Sequence, residues 1–136
     1  MRKLLIAIVI VSFFVCQKSF GQNEPRIKGI YSNYEYQEDS GDLIGLGVII
    51  LSSSDGMSDK YYALVQFVEG VPEKPQLVDL QVNKNEVEFS TRDSNGKVEI
   101  TFRGKVTKDA LVGKIVQNGD KYRLKRVNKL WGIGSD

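Results

Sequence analysis

The fold is decided by the stretch Glu86–Arg126, which reads EVEFSTRDSNGKVEITFRGKVTKDALVGKIVQNGDKYRLKR. Apolar and polar residues alternate along four segments of it, and alternation with a period of two is typical of strands that have one buried and one solvent-facing side. Short polar turns separate the four segments, and two of these turns contain Asn-Gly, at 95–96 and at 118–119. The stretch therefore predicts four antiparallel strands joined by hairpin turns.

The first of these turns predicts a pairing register. Both central residues of a two-residue type I′ turn need positive φ, and Asn-Gly is the dipeptide best suited to that. The resulting pairs are Phe89–Phe102 and Thr91–Ile100 on the inner face, and Arg92–Glu99, Glu88–Arg103 and Glu86–Lys105 on the outer face. All three outer pairs join opposite charges, which favours this register because like charges directly across two strands are destabilising.

The next two turns extend the pattern. A tip at Lys108-Asp109 predicts the pairs Val106–Leu111, Gly104–Gly113 and Phe102–Ile115. A two-residue turn at Asn118-Gly119 predicts Ile115–Tyr122, Gly113–Leu124 and Leu111–Arg126. Apolar residues stay on one face through all three registers, and an arginine, Arg126, reaches the inner end of the last strand.

Two glycines, Gly104 and Gly113, face each other on the inner side in this scheme. Glycine within a strand marks either a sharp bend or a place where another group approaches the backbone closely. Both interpretations remain open from the sequence.

The N-terminal segment, residues 1–21, has the pattern of a cleavable secretory signal peptide. Arg2 and Lys3 are followed by an apolar run and a small-x-small site, so we expect a signal helix and cleavage before Gln22. Cys16 leaves lipid attachment open, although the residues before it match a lipoprotein motif poorly. These features predict a secreted or periplasmic protein with no transmembrane span after cleavage.

The remaining chain, residues 22–136, has the length of a single domain. It holds 16 of the 19 basic residues and all 17 acidic ones, so its net charge is near −1. Cys16 is the sole cysteine of the chain, so the mature domain has no disulfide and depends on its core for stability. The acidic excess lies before Lys84 and the basic excess after it.

Upstream of Glu86, further segments have strand character, beginning with a predicted first strand over Ile27–Tyr36. About eight closely spaced strands and no helix beyond the signal predict an all-β domain. We expect a single antiparallel up-and-down barrel, with a curved β-sandwich as the alternative.

Two short motifs resemble the calycin group of small β-barrels, which includes lipocalins, avidins and fatty-acid-binding proteins. They are Gly29-Ile30-Tyr31 on the first strand and Tyr122–Arg126 on the last. Lipocalin-like barrels often have Gly-x-Trp at the first position, with an arginine from the end of the barrel over the aromatic ring. The resemblance implies that Tyr31 replaces the tryptophan and that Arg126 makes a cation–π contact with the Tyr31 ring. This contact closes the end of the barrel, so its role is structural, and the resemblance does not indicate a ligand.

Several classes of chemistry have no candidate residues. The chain has no histidine, and the mature part has no cysteine, which removes the common nucleophile–base pairs and nearly all zinc, copper and haem sites. No phosphate-binding glycine motif is present. We therefore predict a protein that is not an enzyme and uses no cofactor or metal.

The leading functional hypothesis is a lipocalin-like binding protein for a small, partly apolar molecule, since barrels of about eight strands can hold one such ligand. Its candidate contacts are Phe89, Phe102, Gly104, Gly113 and Tyr122. The same residues also fit a filled core without a cavity.

The second hypothesis is recognition of an envelope macromolecule, such as a protein or an acidic polysaccharide, by the outer face of the last strands. The cations predicted there are Arg103, Lys105, Lys114, Lys121, Arg123 and Lys125. An ordinary solvated sheet face is the alternative interpretation. The near-neutral net charge and the predicted export argue against nucleic acid as the partner.

Overall fold

The computed structural model describes residues 26–54 and 59–129, which form nine strands and no helix. The strands are β1 (Gly29–Ser32), β2 (Glu35–Gln37), β3 (Asp42–Ser54), β4 (Asp59–Pro72), β5 (Gln76–Asn83), β6 (Glu86–Arg92), β7 (Val98–Val106), β8 (Ala110–Ile115) and β9 (Lys121–Val127). The predicted signal peptide, with Cys16, lies outside the described residues. No helix in the two described ranges is long and apolar enough to cross a bilayer.

The strands form one closed antiparallel barrel. Neighbours follow the order β1-β9-β8-β7-β6-β5-β4-β3, and β1 also pairs with β3, so eight strands return to their start. β2 adds a ninth strand beside β3. The predicted up-and-down barrel is therefore confirmed, and the closing pair between β1 and β3 excludes the alternative of a curved β-sandwich.

The barrel interior is packed with apolar side chains supplied by every barrel strand. The buried cluster consists of Tyr31, Leu46, Val48, Ile50, Ala63, Val65, Leu80, Val87, Phe89, Phe102, Val106, Leu111 and Leu124. Because successive side chains of a strand point to opposite sides, the period-two pattern of the sequence places one set inside and the charged set outside. Burial of these side chains is the main source of the stability of a domain without disulfides.

The β6–β7 hairpin confirms most of the predicted register but not its turn. Phe89 faces Phe102 and Glu88 faces Arg103, whereas Arg92 faces Val98 rather than Glu99 because a bulge follows Thr91.

The physical reason lies in the carboxylate of Asp93. It accepts N–H bonds from Asn95 and Lys97, both at 2.9 Å, and only Gly96 of the Asn-Gly dipeptide has positive φ. A three-residue loop with a left-handed glycine results, and the bulge restores the pairing beyond it.

The β7–β8 register is as predicted, but the β8–β9 register is wrong by two residues. Leu111 faces Leu124 rather than Arg126, and Gly113 faces Tyr122. The loop is longer than two residues because the side chain of Asn118 bonds to the backbone N–H and carboxylate of Asp120. A shift of two residues keeps every side chain on its predicted face.

The predicted first strand, Ile27–Tyr36, is interrupted. β1 and β2 pair with β3 in the same register, but the strand is interrupted between them, where Asn33 Oδ1 accepts the N–H of Leu46 at 2.8 Å. Gly45, with φ of 134°, lies against the Asn33 backbone at the same point, where a side chain would not fit. Because of this interruption, β2 pairs only with β3 and is not one of the eight strands that close the barrel.

Candidate functional site

The two phenylalanines predicted to line an interior ligand site stack on each other. The ring centroids of Phe89 and Phe102 lie 5.1 Å apart with an interplanar angle of 15°. The side chains are 2% and 0% exposed, respectively, and both belong to the buried cluster. Their surfaces are therefore already covered by protein atoms, which gives the dispersion contacts of a packed core.

The ring of Phe102 also explains the facing glycines. A Cβ atom on Gly104 would lie 2.6 Å from Phe102 Cε1, and one on Gly113 would lie 2.5 Å from Phe102 Cζ and 2.4 Å from the carbonyl oxygen of Arg103. The group that approaches the backbone at the glycine pair is thus an aromatic ring of the protein itself. Of the two open interpretations, close approach is the one that the structure supports.

Tyr122, the fifth predicted contact, is partly buried and packs against the same cluster. Burial raises the pKa of its phenol, and the negative charges of Asp120 and Glu69 raise that pKa further. The structure thus brings all five predicted residues onto the inner face of β6–β9, in an interior that their own side chains occupy.

One polar atom inside the barrel lacks a partner. Thr91 is 2% exposed, and its hydroxyl oxygen makes no hydrogen bond to any described residue. A buried hydroxyl without a partner costs about 1–3 kcal/mol, so this position is a feature of the interior that packing alone does not explain.

Arg126 lies at one end of the barrel directly across from Tyr31, its pairing partner on β1. The guanidinium carbon is 4.7 Å from the centroid of the Tyr31 ring, so the predicted cation–π contact is present. The same guanidinium donates to the carbonyl oxygens of Lys28, at 2.9 Å, and of Arg26, and to the Tyr31 hydroxyl at 2.6 Å. The hydroxyl of Tyr31 in turn donates to the carbonyl oxygen of Ile27 at 2.7 Å.

We call these residues, Arg26, Ile27, Lys28, Tyr31 and Arg126, the end cluster. Its hydrogen bonds hold the segment before β1 against the end of the barrel. Position 29 is a glycine there, and a Cβ atom on it would clash with Arg126 Nη1. Burial raises the pKa of Tyr31, and the positive charge of Arg126 opposes part of that increase. The wrong β8–β9 register did not affect this contact because Arg126 stays on the inner side.

The six predicted surface cations lie together on the outer side of β7, β8 and β9, and we call this surface the basic face. Its members are Arg103, Lys105, Lys114, Lys121, Arg123 and Lys125. Arg103 pairs with Lys114 across β7 and β8, and Lys114 pairs with Lys121 across β8 and β9. Three positive side chains therefore stand in one row with no negative residue between them.

Two members of the basic face have acidic partners. Arg103 binds Glu88 at 2.5 Å and Arg123 binds Asp109 at 2.8 Å. Hydrogen bonding by the Thr107 hydroxyl, together with Arg123, lowers the pKa of the Asp109 carboxyl. Among the residues that the structure describes, the lysines of the face form no ion pair.

An open groove of about 570 Å³ runs across the outer side of β5–β8. Its floor is the backbone of one line of cross-strand pairs, Val82–Val87–Gly104–Gly113, whose residues face the barrel interior. Its two walls are the outward-facing residues on either side of that line. One side carries Gln81, Glu88 and Arg103, and the other carries Asn83, Glu86, Lys105 and Val112. The groove is therefore perpendicular to the strands and joins the basic face at β7.

The groove residues of β5 are the part of the site that the sequence did not reveal. Gln81 and Asn83 alternate with the inward Leu80 and Val82, which signals an outer-face position. The predicted registers began at Glu86, so they did not join these two residues to Arg103 or Lys105. Their proximity follows from the β5–β6 and β6–β7 pairings. Across the described ranges, no group of three or more acidic, histidine or cysteine side chains is placed to hold a metal ion.

Comparison of the chain with protein-family models, with curated proteins and with solved structures finds no match.

Proposed function

We propose that this protein is an exported, non-catalytic binding protein that recognises an acidic macromolecule through the basic face. The observation that carries the proposal is the row Arg103, Lys114 and Lys121, in which like charges pair directly across three strands. Such pairs are destabilising in a sheet. An acidic polymer lying along the row would neutralise the repulsion. Binding an anion therefore explains why the three cations stand together, whereas the stability of the fold does not.

The packing of the residues predicted to contact an interior ligand supports the same proposal. Phe102 stacks on Phe89 and occupies the space over the glycine pair, so these four predicted positions already contact protein atoms. The cations of the face, by contrast, stand on a solvent-facing surface. Clustered positive charge of this kind attracts polyanions in a salt-dependent way.

Charge reversal on the face tests the proposal. Polygalacturonate and chondroitin sulfate are titrated calorimetrically into the wild type, into Lys114→Glu/Lys121→Glu and into Lys60→Glu/Lys74→Glu. The last variant has the same net charge, but its substitutions lie on β4 and in the β4–β5 connection. We expect the face variant to bind at least about tenfold more weakly, because two contacts are lost and two repulsions are added.

The control variant should bind within about threefold of the wild type, and binding should weaken strongly at about 1 M salt, where the Debye length falls to about 3 Å. Equal affinities of the two variants, or no binding of either polymer by the wild type at low ionic strength, would overturn the proposal.

A small ligand inside the barrel is the second candidate, and one observation favours it. The buried Thr91 hydroxyl has no partner among the described residues, and a bound polar group would satisfy it. A native mass spectrum of the exported protein tests this candidate. An extra mass that is lost on denaturation supports it, and the mass of the bare polypeptide contradicts it.

A further inference from the structure

We infer that the acidic macromolecule is a polysaccharide that lies across the strands, with its acidic groups on the basic face and its hydroxyl groups in the groove over β5 and β6. This inference rests on the proposed function and adds the chemical class of the partner. It is carried by the part of the groove on β5 and β6, whose amides and carboxylates lie outside the row of cations.

The direction of the groove fits a linear chain. Its two walls follow consecutive cross-strand pairs, so it crosses the strands instead of running along them. Neighbouring strands lie about 4.8 Å apart, so the path from β5 to β9 is about 19 Å long. That length suits a short oligosaccharide segment bound in an extended form.

The chemistry of the walls changes along this path. Arg103 and Lys105 on β7 are cationic, and beyond the groove Lys114 lies next to Arg103 on β8. Glu86 and Glu88 on β6 are anionic, and Gln81 and Asn83 on β5 are neutral amides. Polyphosphate presents anionic oxygens along its whole length and no hydroxyl groups, so it is attracted at the β7 end of the groove and repelled at β6. A polysaccharide presents hydroxyl groups as well as acids, so it can match both ends.

The amide side chains are available for such hydrogen bonds. Gln81 and Asn83 are exposed, and their side chains make no hydrogen bond to any other residue that the structure describes. An amide both donates and accepts, and a carboxylate accepts, which are the functions needed to bind sugar hydroxyls. No aromatic ring lines the described groove, so stacking on a neutral sugar makes no contribution there.

A protein partner fits this surface less well. The centres of protein–protein interfaces are depleted in charged residues and rich in aromatic ones. The groove and the basic face are mostly charged or polar, and their exposed apolar side chain is Val112, which is 37% exposed.

The test removes the amides and leaves all charges in place. Gln81→Ala/Asn83→Ala is compared with Gln37→Ala/Asn128→Ala, which removes two exposed amides outside the groove. Each protein is titrated with polygalacturonate and with inorganic polyphosphate, and thermal unfolding confirms that the variants are folded. We expect the groove variant to bind polygalacturonate about fivefold more weakly, because hydrogen bonds to sugar hydroxyls are lost, and to bind polyphosphate as the wild type does.

The carboxylates give a second prediction that separates the two polymers. Glu86→Gln removes a negative charge from the groove, so polyphosphate binding should become stronger. Polygalacturonate should gain less, because a carboxylate that accepts from a sugar hydroxyl is lost at the same time, and equal gains for the two polymers would contradict the inference.

Unchanged polygalacturonate affinity in Gln81→Ala/Asn83→Ala would overturn the inference. So would vesicles containing phosphatidylglycerol that bind more tightly than polygalacturonate, since lipid head groups would then be the partner. The first result leaves the proposed function standing if Lys114→Glu/Lys121→Glu still weakens polygalacturonate binding at least about tenfold, whereas the second replaces the acidic macromolecule by a membrane surface. If that variant binds as the wild type does, the proposed function fails as well.

Discussion

Arg126 and Lys114 lie on neighbouring strands of one barrel, but their surroundings are opposite. The guanidinium of Arg126 contacts the Tyr31 ring, the Tyr31 hydroxyl and two backbone carbonyl oxygens. Lys114 faces a positive residue on each side, Arg103 and Lys121. The end cluster thus satisfies its cation within the fold, and the basic face leaves its lysines without such partners.

The difference separates residues that hold the barrel together from residues that are free to bind. A cation whose partners belong to its own chain stabilises the folded state and has little left to offer a ligand. A cation opposed by like charges destabilises the fold slightly and gains when an anion arrives. The substitutions below test this division, beginning with the largest expected effect.

Removal of Arg126 should have the largest effect on stability. Arg126→Ala deletes three hydrogen bonds and the cation–π contact, so we expect the free energy of unfolding to fall by about 3 kcal/mol. Denaturant unfolding followed by circular dichroism measures it. Arg123→Ala on the same strand is the control, and because its ion pair is exposed its loss should be far smaller. Equal losses in the two variants would contradict the role of the end cluster.

The glycine pair should be the next most sensitive position. A Cβ at Gly113 lies within 2.5 Å of both a backbone oxygen and the Phe102 ring, so Gly113→Ala should destabilise by about 2 kcal/mol. Replacement of Phe102 by leucine frees part of that space. In a double-mutant cycle, Gly113→Ala should therefore cost less in the Phe102→Leu background than in the wild type. Additive effects would mean that the ring is not what the glycine accommodates.

The end cluster should also make stability depend on alkaline pH. Burial raises the pKa of Tyr31 above its ordinary value of 10.0, so the folded state holds the phenol proton more tightly than the unfolded state does. Its contribution is therefore fully present below about pH 10 and is lost as the pH rises through the folded pKa. Urea unfolding across this range should show falling stability, and Tyr31→Phe should flatten the decline. Tyr34 and Tyr122, whose pKa values burial also raises, contribute to the remaining slope.

The smallest expected effect is a gain in stability. Lys114→Glu places a carboxylate opposite both Arg103 and Lys121, so we expect about 0.5 kcal/mol of stabilisation, and Lys114→Gln should give a smaller gain. The same Lys114→Glu protein should bind polygalacturonate more weakly than the wild type. A loss of stability would show that the row of cations carries no internal repulsion.

Much of the fold could be predicted from the sequence, because the alternation of apolar and polar residues assigns each side chain of a strand to one face of the sheet. The barrel, the register of β6 against β7 and the contact between Tyr31 and Arg126 all followed from that pattern and from the resemblance. The turns were harder to predict. Asp93 and Asn118 bond to neighbouring backbone groups and lengthen the loops, and the same residue types also occur in two-residue turns.

Only part of the candidate site could be predicted from the sequence, and the reason is different. The cations of the basic face lie on three consecutive strands, so local patterns place them together. Gln81 and Asn83 join them through the β5–β6 pairing, whose register was not predicted, and through the β6–β7 pairing, whose register the Asn95-Gly96 turn indicated. The packing of Phe102 on Phe89 and over the glycine pair could not be predicted either, since aromatic residues and glycines that face inward can either enclose a cavity or pack on one another.

The most direct test of the central claim, that binding occurs on the outer side of the barrel, is a titration of the ¹⁵N-labelled protein with oligogalacturonate followed by amide chemical shifts. The account predicts that shifts concentrate at Arg103, Lys114 and Lys121 and along the groove, while the amides of Tyr31 and Ile27 at the barrel end stay unchanged. Shifts confined to residues of the buried cluster, or the absence of any shift at low ionic strength, would contradict it.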